Sequence, residues 1–156
     1  MRWWLVAAVL ALPWPLAAQQ LQLRGSSTLT ATLGLSPRLG IHADSLRRVG
    51  RGVYVHDEQV GDGMVADTGV VVSLHFVGLL TDGTIFSSTD RKPFEFEVGA
   101  NQVIAGWEDG VLGMRVGGRR HLVIPSFLGY GATGDGPVPP DAVLVFDVTM
   151  VDAKKR

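Results

Sequence analysis

Apolar and polar residues alternate along much of the chain after residue 52, and this alternation predicts a sheet-rich domain. From Val70 to Leu80 both alternating sets of positions are mostly apolar, so this strand is expected to be central or covered on both faces. From Phe94 to Val98 apolar residues alternate with glutamates, which is typical of a strand with one buried and one solvent-exposed face. The Asp82-Gly83 pair favours a tight hairpin directly after the long strand. Further strands are predicted at 53–55, from 85, at 119–124 and at 143–151.

Residues 101–112 are the helix candidate of this region. Gly106 and Gly110 each cost about 1 kcal/mol relative to alanine, so packing rather than intrinsic propensity must hold the helix. Trp107 and Val111 fall on one side at helical spacing and can press into the concave face of a sheet. The expected fold is therefore of the α+β class, with a curved antiparallel sheet of five or six strands wrapped around one short helix.

The first residues have the organisation of an export signal. Met1-Arg2 provides a positive start, Trp3 to Leu16 is apolar without a charge, and Ala17-Ala18 precedes two glutamines. This order predicts a signal peptide over residues 1–18, cleaved after Ala18. A membrane-spanning helix needs about 20 apolar residues, and this run is shorter and contains two prolines. A retained or differently cleaved form is the alternative, because Leu16 occupies a position where a small residue is preferred.

Residues 19–50 differ in composition from the sheet-rich region after residue 52. They begin with small polar residues that show no clear period, and Pro37 and Gly40 interrupt the rest. This composition predicts a flexible linker, with a dimerising arm as the less favoured interpretation. The folded domain is then expected to cover residues 51–153.

Composition narrows the class of protein. The chain of 156 residues is the size of one domain with a short lead-in. Its net charge of −1 provides no basic surface for nucleic acid. Because the chain has no cysteine, it can form no disulfide in an oxidising compartment and has no thiol that could be wrongly oxidised there. Together with the signal, this favours a periplasmic or secreted protein with no membrane attachment after cleavage.

Neither a metal nor an organic cofactor is expected. The four histidines are far apart in sequence and lack the close pairing of ligands in structural zinc sites. Residues 129–134 match G-x-G-x-x-G, but prolines follow and no helix is predicted to begin there. A dinucleotide-binding site requires this motif to open a helix, so we do not expect such a site. Glu108 and Asp109 are expected on an exposed helix face rather than as an acid/base pair.

The apolar run Val103–Gly110 is the best clue to function. Its sequence, V-I-A-G-W-E-D-G, resembles the V-I-x-G-W-E-x-G segment of FKBP-type peptidyl-prolyl cis/trans isomerases. Five further segments are similar to this family in the same order along the chain. They are Val72–Gly78 with Asp82-Gly83 and Phe86, Lys92–Phe96, Val116–Arg119, Tyr130–Ala132 with Pro139-Pro140, and Leu144–Val148. Over residues 52–152 the chain thus resembles an exported bacterial member of the family.

The resemblance implies an apolar pocket that takes a proline ring, with Trp107 as its floor. The residues that it assigns to catalysis are Phe76, Phe86, Trp107, Tyr130 and Phe146. The residues that it assigns to substrate binding are Phe94, Val103, Ile104, Val138 and Ser87. A backbone amide of the Val103-Ile104 segment and the Tyr130 hydroxyl would position the carbonyls of the substrate. The implied partners are proline-containing polypeptides and macrolide inhibitors.

The implied function is peptidyl-prolyl cis/trans isomerisation that assists the folding of exported proteins. Two positions depart from the family pattern, because Ser87 stands where the family has an aspartate and Phe76 where it has a tyrosine. Both changes remove polar groups from the pocket. The alternative is therefore a peptide-binding or chaperone module of the same fold with weak or no isomerase activity.

Overall fold

The computed structural model describes residues 28–156, so the predicted signal peptide lies outside the described residues. In the described part the chain forms seven strands, three short 3-10 turns and two helical segments. The strands are β1 Arg47–Val49, β2 Val53–Gln59, β3 Val70–Leu80, β4 Ile85–Ser88, β5 Phe94–Glu97, β6 Arg119–Ile124 and β7 Leu144–Lys155. The helical segments are α1, residues 28–33, and α2, Ala105–Val111, and the 3-10 turns are Pro37–Leu39, Ala43–Ser45 and Ser126–Leu128. None of the helices between residues 28 and 156 is long and apolar enough to cross a membrane.

All seven strands belong to one antiparallel sheet. The strand order is β1-β2-β6-β7-β3-β4, and β5 pairs with β3 beyond the end of β4. The long strand β3 has β7 on one side and β4 and β5 on the other, which confirms its predicted central position. The sheet has more strands than the five or six expected, because β1 lies within the segment that was predicted to be a linker.

Helix α2 packs against the concave face of the sheet. The residues of β7 predicted to face the core are buried there: Leu144, Phe146, Val148 and Met150. The helix is shorter than the predicted 101–112, because residues 98–104 form an irregular lead-in in which Asn101 has a positive φ of 54°. A Cβ atom on Gly106 would lie 2.3 Å from a methyl carbon of Ile124, and one on Gly110 would lie 2.9 Å from a methyl carbon of Leu122. The two glycines thus cost helix propensity but allow the helix to approach the sheet.

The opposite face of the sheet, called the back face here, is covered by residues 28–46. Leu33 and Leu35 are buried against Val123 and Val145, whose neighbours in β6 and β7 face the core. Residues 28–46 of the predicted flexible linker therefore form a packed third layer. Its apolar residues reach the sheet through a helical turn and two 3-10 turns, so their spacing follows neither the period of a strand nor that of a helix.

Candidate functional site

A cavity of about 370 Å³ opens on the concave side of the sheet, above α2. It is lined by residues from β3, β4, β5, β7 and α2, from the loop before α2 and from the loop after the Ser126–Leu128 turn. The lining residues are Phe76, Phe86, Ser87, Phe94, Gln102, Val103, Ile104, Trp107, Tyr130 and Phe146. The structure brings together every residue that the sequence assigned to the site except Val138. Across residues 28–156, no group of three or more histidine and carboxylate side chains is placed to hold a metal ion.

Trp107 forms the floor of this cavity. Only 4% of its surface is exposed, and its indole makes edge-to-face contacts with three phenyl rings. The ring centroids lie 4.9 Å away for Phe76, 5.2 Å for Phe146 and 5.8 Å for Phe94. Pairs in this geometry contribute about 0.5–1.5 kcal/mol each beyond the area that they bury. The floor is consequently a closely packed aromatic surface, held by strands that are distant in sequence.

The wall on the β4 side depends on a close approach of two rings. Phe86 meets Phe146 edge to face at 5.6 Å between centroids. Both rings lie over Gly78 of β3, where a Cβ atom would come within 2.8 Å of Phe86 and 2.9 Å of Phe146. A side chain at position 78 would therefore push these rings apart.

Glu108 fixes the loop that leads into α2. Its carboxylate is buried, with 8% of the residue exposed, and it accepts hydrogen bonds from the backbone N–H groups of Gly99 at 2.6 Å and Asn101 at 2.8 Å. The prediction that Glu108 lies on an exposed helix face is wrong. A carboxylate that satisfies two backbone donors in an irregular loop has a local structural role that sequence periodicity does not reveal.

Arg51, in the turn between β1 and β2, is bonded to α2 at its first residue and at Asp109. Arg51 donates to both carboxylate oxygens of Asp109, at 2.9 Å and 3.1 Å, and to the carbonyl oxygen of Ala105 at 3.3 Å. The hydrogen bond from Arg51 holds the pKa of Asp109 below its usual value. Asp109 is half-buried, so it too is not a free surface carboxylate.

Arg120 holds the other end of α2. Its guanidinium is buried and donates to the carbonyl oxygens of Gly110 at 2.9 Å and Leu112 at 3.2 Å. It also forms a two-point ion pair with Asp57, at 2.5 Å and 3.1 Å. Burial raises the pKa of Asp57, but hydrogen bonds from Arg120 and Arg47 outweigh it and leave that pKa below its usual value. Three polar anchors therefore position the short helix that carries Trp107.

Two hydrogen-bond donors at the cavity are available to a ligand. The Tyr130 hydroxyl makes no hydrogen bond to residues 28–156, and burial together with the nearby Asp135 carboxylate raises its pKa, so it stays protonated. The carbonyl of Ile104 accepts from Trp107 and Glu108, whereas its own N–H makes no backbone hydrogen bond within the described chain. Both donors belong to residues that line the cavity.

The remaining site residues show what the sequence could not place. Val138 is buried in the core, and its backbone pairs with Asp135 at 2.8 Å and 3.0 Å, so it does not line the cavity as predicted. Ser87 lies on the exposed side of the cavity wall. Gln102, which sequence reasoning missed, lines the cavity and accepts from the Glu97 N–H at 2.9 Å. The sequence feature that could have assigned Gln102 to the cavity is its position directly before Val103.

Comparisons with known proteins agree with this architecture. Residues 63–151 match the family model described as FKBP-type peptidyl-prolyl cis-trans isomerase. FK506-binding protein 4 of Emericella nidulans is 41% identical over 105 residues, which are 67% of this chain and 22% of that protein. The chain thus spans about a fifth of that relative's length.

Solved structures share the fold. The crystal structure of AtFKBP13 superposes with a TM-score of 0.65 at 34% identity and covers 70% of this chain and 98% of that one. A peptidyl-prolyl cis-trans isomerase from Pseudomonas syringae has a TM-score of 0.67 at 27% identity, with 93% of this chain and 100% of that chain covered. With the family model matched over most of the domain, the chain belongs to the FKBP-type peptidyl-prolyl cis-trans isomerase family.

Proposed function

We propose that this protein catalyses cis/trans isomerisation of the peptide bond before proline in polypeptide substrates. The observation that carries the proposal is an aromatic cavity with Trp107 as its floor, lined by two residues, Ile104 and Tyr130, whose N–H and hydroxyl make no hydrogen bond within residues 28–156. Such a cavity is large enough for a proline ring and a neighbouring side chain, and it offers no acid/base pair. The FK506-binding proteins among its relatives suggest macrolides as ligands of the same cavity.

The chemistry requires no covalent step. Rotation about the imide bond must overcome a barrier of about 18–20 kcal/mol, which arises from amide resonance. In the twisted transition state this resonance is lost and the carbonyl is less polar, so an apolar aromatic environment favours it over the hydrated planar ground state. Each 1.36 kcal/mol of differential stabilisation raises the rate about tenfold.

The two free donors orient the substrate. The Ile104 N–H and the Tyr130 hydroxyl can each donate to a carbonyl oxygen of a bound peptide. Because both belong to residues that line the cavity, they would fix the chain while the proline ring rests on Trp107. Holding the substrate in one orientation lowers the entropic part of the barrier.

We also propose that the protein acts outside the cytoplasm. The apolar N-terminal segment followed by Ala17-Ala18 supports export to the periplasm or the exterior, with cleavage of residues 1–18. Uncatalysed proline isomerisation takes tens of seconds, which is slow enough to limit the folding of exported proteins. We propose these proteins as the substrates.

A second function is favoured by one observation, the lack of a carboxylate at Ser87 together with Phe76 in place of a tyrosine. A cavity with these residues could bind proline-containing segments with weak catalysis and act as a chaperone module. A protease-free isomerisation assay on a proline tetrapeptide separates the two functions. Catalysis that is abolished by a macrolide supports the isomerase, whereas macrolide binding without catalysis supports the binding module.

A further inference from the structure

The layer formed by residues 28–46, called the strap here, reaches the hairpin between β3 and β4. The backbone N–H of Ser36 donates to the carbonyl oxygen of Thr81 at 2.9 Å. Thr81 is the first residue after β3, at the start of the hairpin turn. This backbone hydrogen bond joins the strap to the hairpin.

The hairpin carries one wall of the cavity. Strand β4 has four residues, lies at the edge of the sheet and pairs with β3 alone. The pairing shifts register between Gly78 and Leu79, next to the point where Phe86 and Ser87 enter the cavity. A short edge strand with interrupted pairing has few hydrogen bonds of its own, so its position depends on what anchors the hairpin.

The strap also packs against the back of this hairpin. Leu33 and Leu35 belong to the same apolar cluster as Leu79, which pairs with Ile85 of β4. Leu33 lines a groove together with Leu80 and Thr81. The strap thus contacts the hairpin through apolar side chains and a backbone hydrogen bond, on the face opposite to the cavity.

We propose that the strap is a positioning element for the prolyl cavity and that Ser36, through Thr81, holds the β4 wall in its binding position. The kinetic effect expected from this role depends on the proposed isomerase function. The β4 wall encloses the substrate in both its ground state and its transition state, whereas Trp107 is held separately by the anchors of α2. Loosening the wall therefore weakens binding and raises KM, with little effect on kcat.

The backbone of Ser36 allows a precise test. Its φ of −67° and ψ of 138° suit proline, so Ser36→Pro removes the N–H that binds Thr81. The Ser36 side chain also accepts from the Arg38 N–H at 3.3 Å, and Ser36→Ala removes this contact alone. Ser36→Ala is therefore the matched control.

Hydrogen exchange and kinetics provide the two measurements. The amides of Leu80 and Gly83, which bond within the hairpin, should exchange about threefold to tenfold faster in Ser36→Pro, the range expected for one net hydrogen bond. KM for a proline tetrapeptide should rise at least about twofold while kcat changes by less than that. Ser36→Ala should match the wild type in both.

A second pair of variants distinguishes a specific effect on the hairpin from a general loss of stability. Leu35→Ala and Leu46→Ala both remove apolar groups from the back-face cluster, but only Leu35 adjoins the contact with the hairpin. Leu35→Ala should raise hairpin exchange and KM, and Leu46→Ala should lower stability without raising KM. Equal KM values in all four variants, or unchanged hairpin exchange in Ser36→Pro, would overturn the proposal. Exchange needs no activity, so an inactive wild type would refute the isomerase function while exchange still decides the role of the strap.

Discussion

The phenyl ring of Phe76 meets the indole of Trp107 edge to face, with centroids 4.9 Å apart and ring planes at 90°. Phe76 comes from the central strand β3, and Trp107 comes from α2. This contact joins sheet and helix at the bottom of the cavity. Any change at either residue should therefore affect both ligand binding and folding stability.

Replacing Trp107 by alanine should lower the free energy of unfolding by about 3–5 kcal/mol, because a buried aromatic side chain is lost. It should also reduce the affinity for a rapamycin-class macrolide sharply. Denaturant unfolding and ligand titration measure the two effects.

Trp107 is the sole tryptophan after residue 18, so the fluorescence of a processed protein reports the cavity floor directly. A saturating macrolide or proline peptide should change this emission. If the emission of the folded protein does not change with any such ligand, the assignment of the cavity is contradicted.

The Tyr130→Phe variant removes a hydroxyl with little loss of packing. It should weaken ligand binding about threefold to tenfold, the effect expected for one hydrogen bond, and leave the unfolding midpoint nearly unchanged. Because burial and the Asp135 carboxylate raise the pKa of Tyr130, its donor persists through neutral pH. Wild-type affinity should consequently stay flat between about pH 6 and pH 9, and a decline specific to the wild type below pH 9 would argue against this role.

Introducing an aspartate at Ser87 should raise kcat/KM for proline tetrapeptides or the affinity for macrolides. The reason is that Ser87 lies on the cavity wall at the position where the family pattern has a carboxylate. Phe76→Tyr should add to the effect, and the double variant tests whether the two sites couple. Unchanged or lower activity in both single variants would show that this cavity does not depend on the polar groups of the family pattern.

The Asp57–Arg120 pair should make stability sensitive to acid. The pKa of Asp57 is lower in the folded protein than in the unfolded chain, so its contribution is present above the unfolded value of about 3.9. That contribution is lost as pH falls through the lower folded pKa. Asp57→Asn should be destabilised at pH 7 and should lose less of its remaining stability between pH 6 and pH 3 than the wild type does. Thermal unfolding across this range measures the difference, with Asp44→Asn as an exposed control.

The proposed export signal has a direct test. If residues 1–18 are removed, the mature protein should begin at Gln19. Mass spectrometry of protein released from the periplasm or the medium would show this N-terminus. An intact Met1 in the soluble fraction would contradict cleavage.

The sequence by itself determined the features that local periodicity and glycine encode. Alternation placed β3 at the centre of the sheet and aimed Leu144, Phe146 and Val148 at the core. The glycines of α2 indicated that packing, not propensity, holds the helix, and the close approach to Ile124 at Gly106 agrees with this. Motif order also indicated which aromatic residues share one cavity.

Only the tertiary structure decided contacts between segments whose spacing has no period. Leu33 and Leu35 cover the back face from a segment that looked like a linker, because burial there depends on the facing strands and not on local alternation. Glu108 is buried because the loop before α2 turns its N–H groups towards it. Val138 lies in the core instead of the cavity, since its loop folds back on Asp135. In each case the partner is distant in sequence or lies in an irregular loop, where no pattern of apolar residues records the contact.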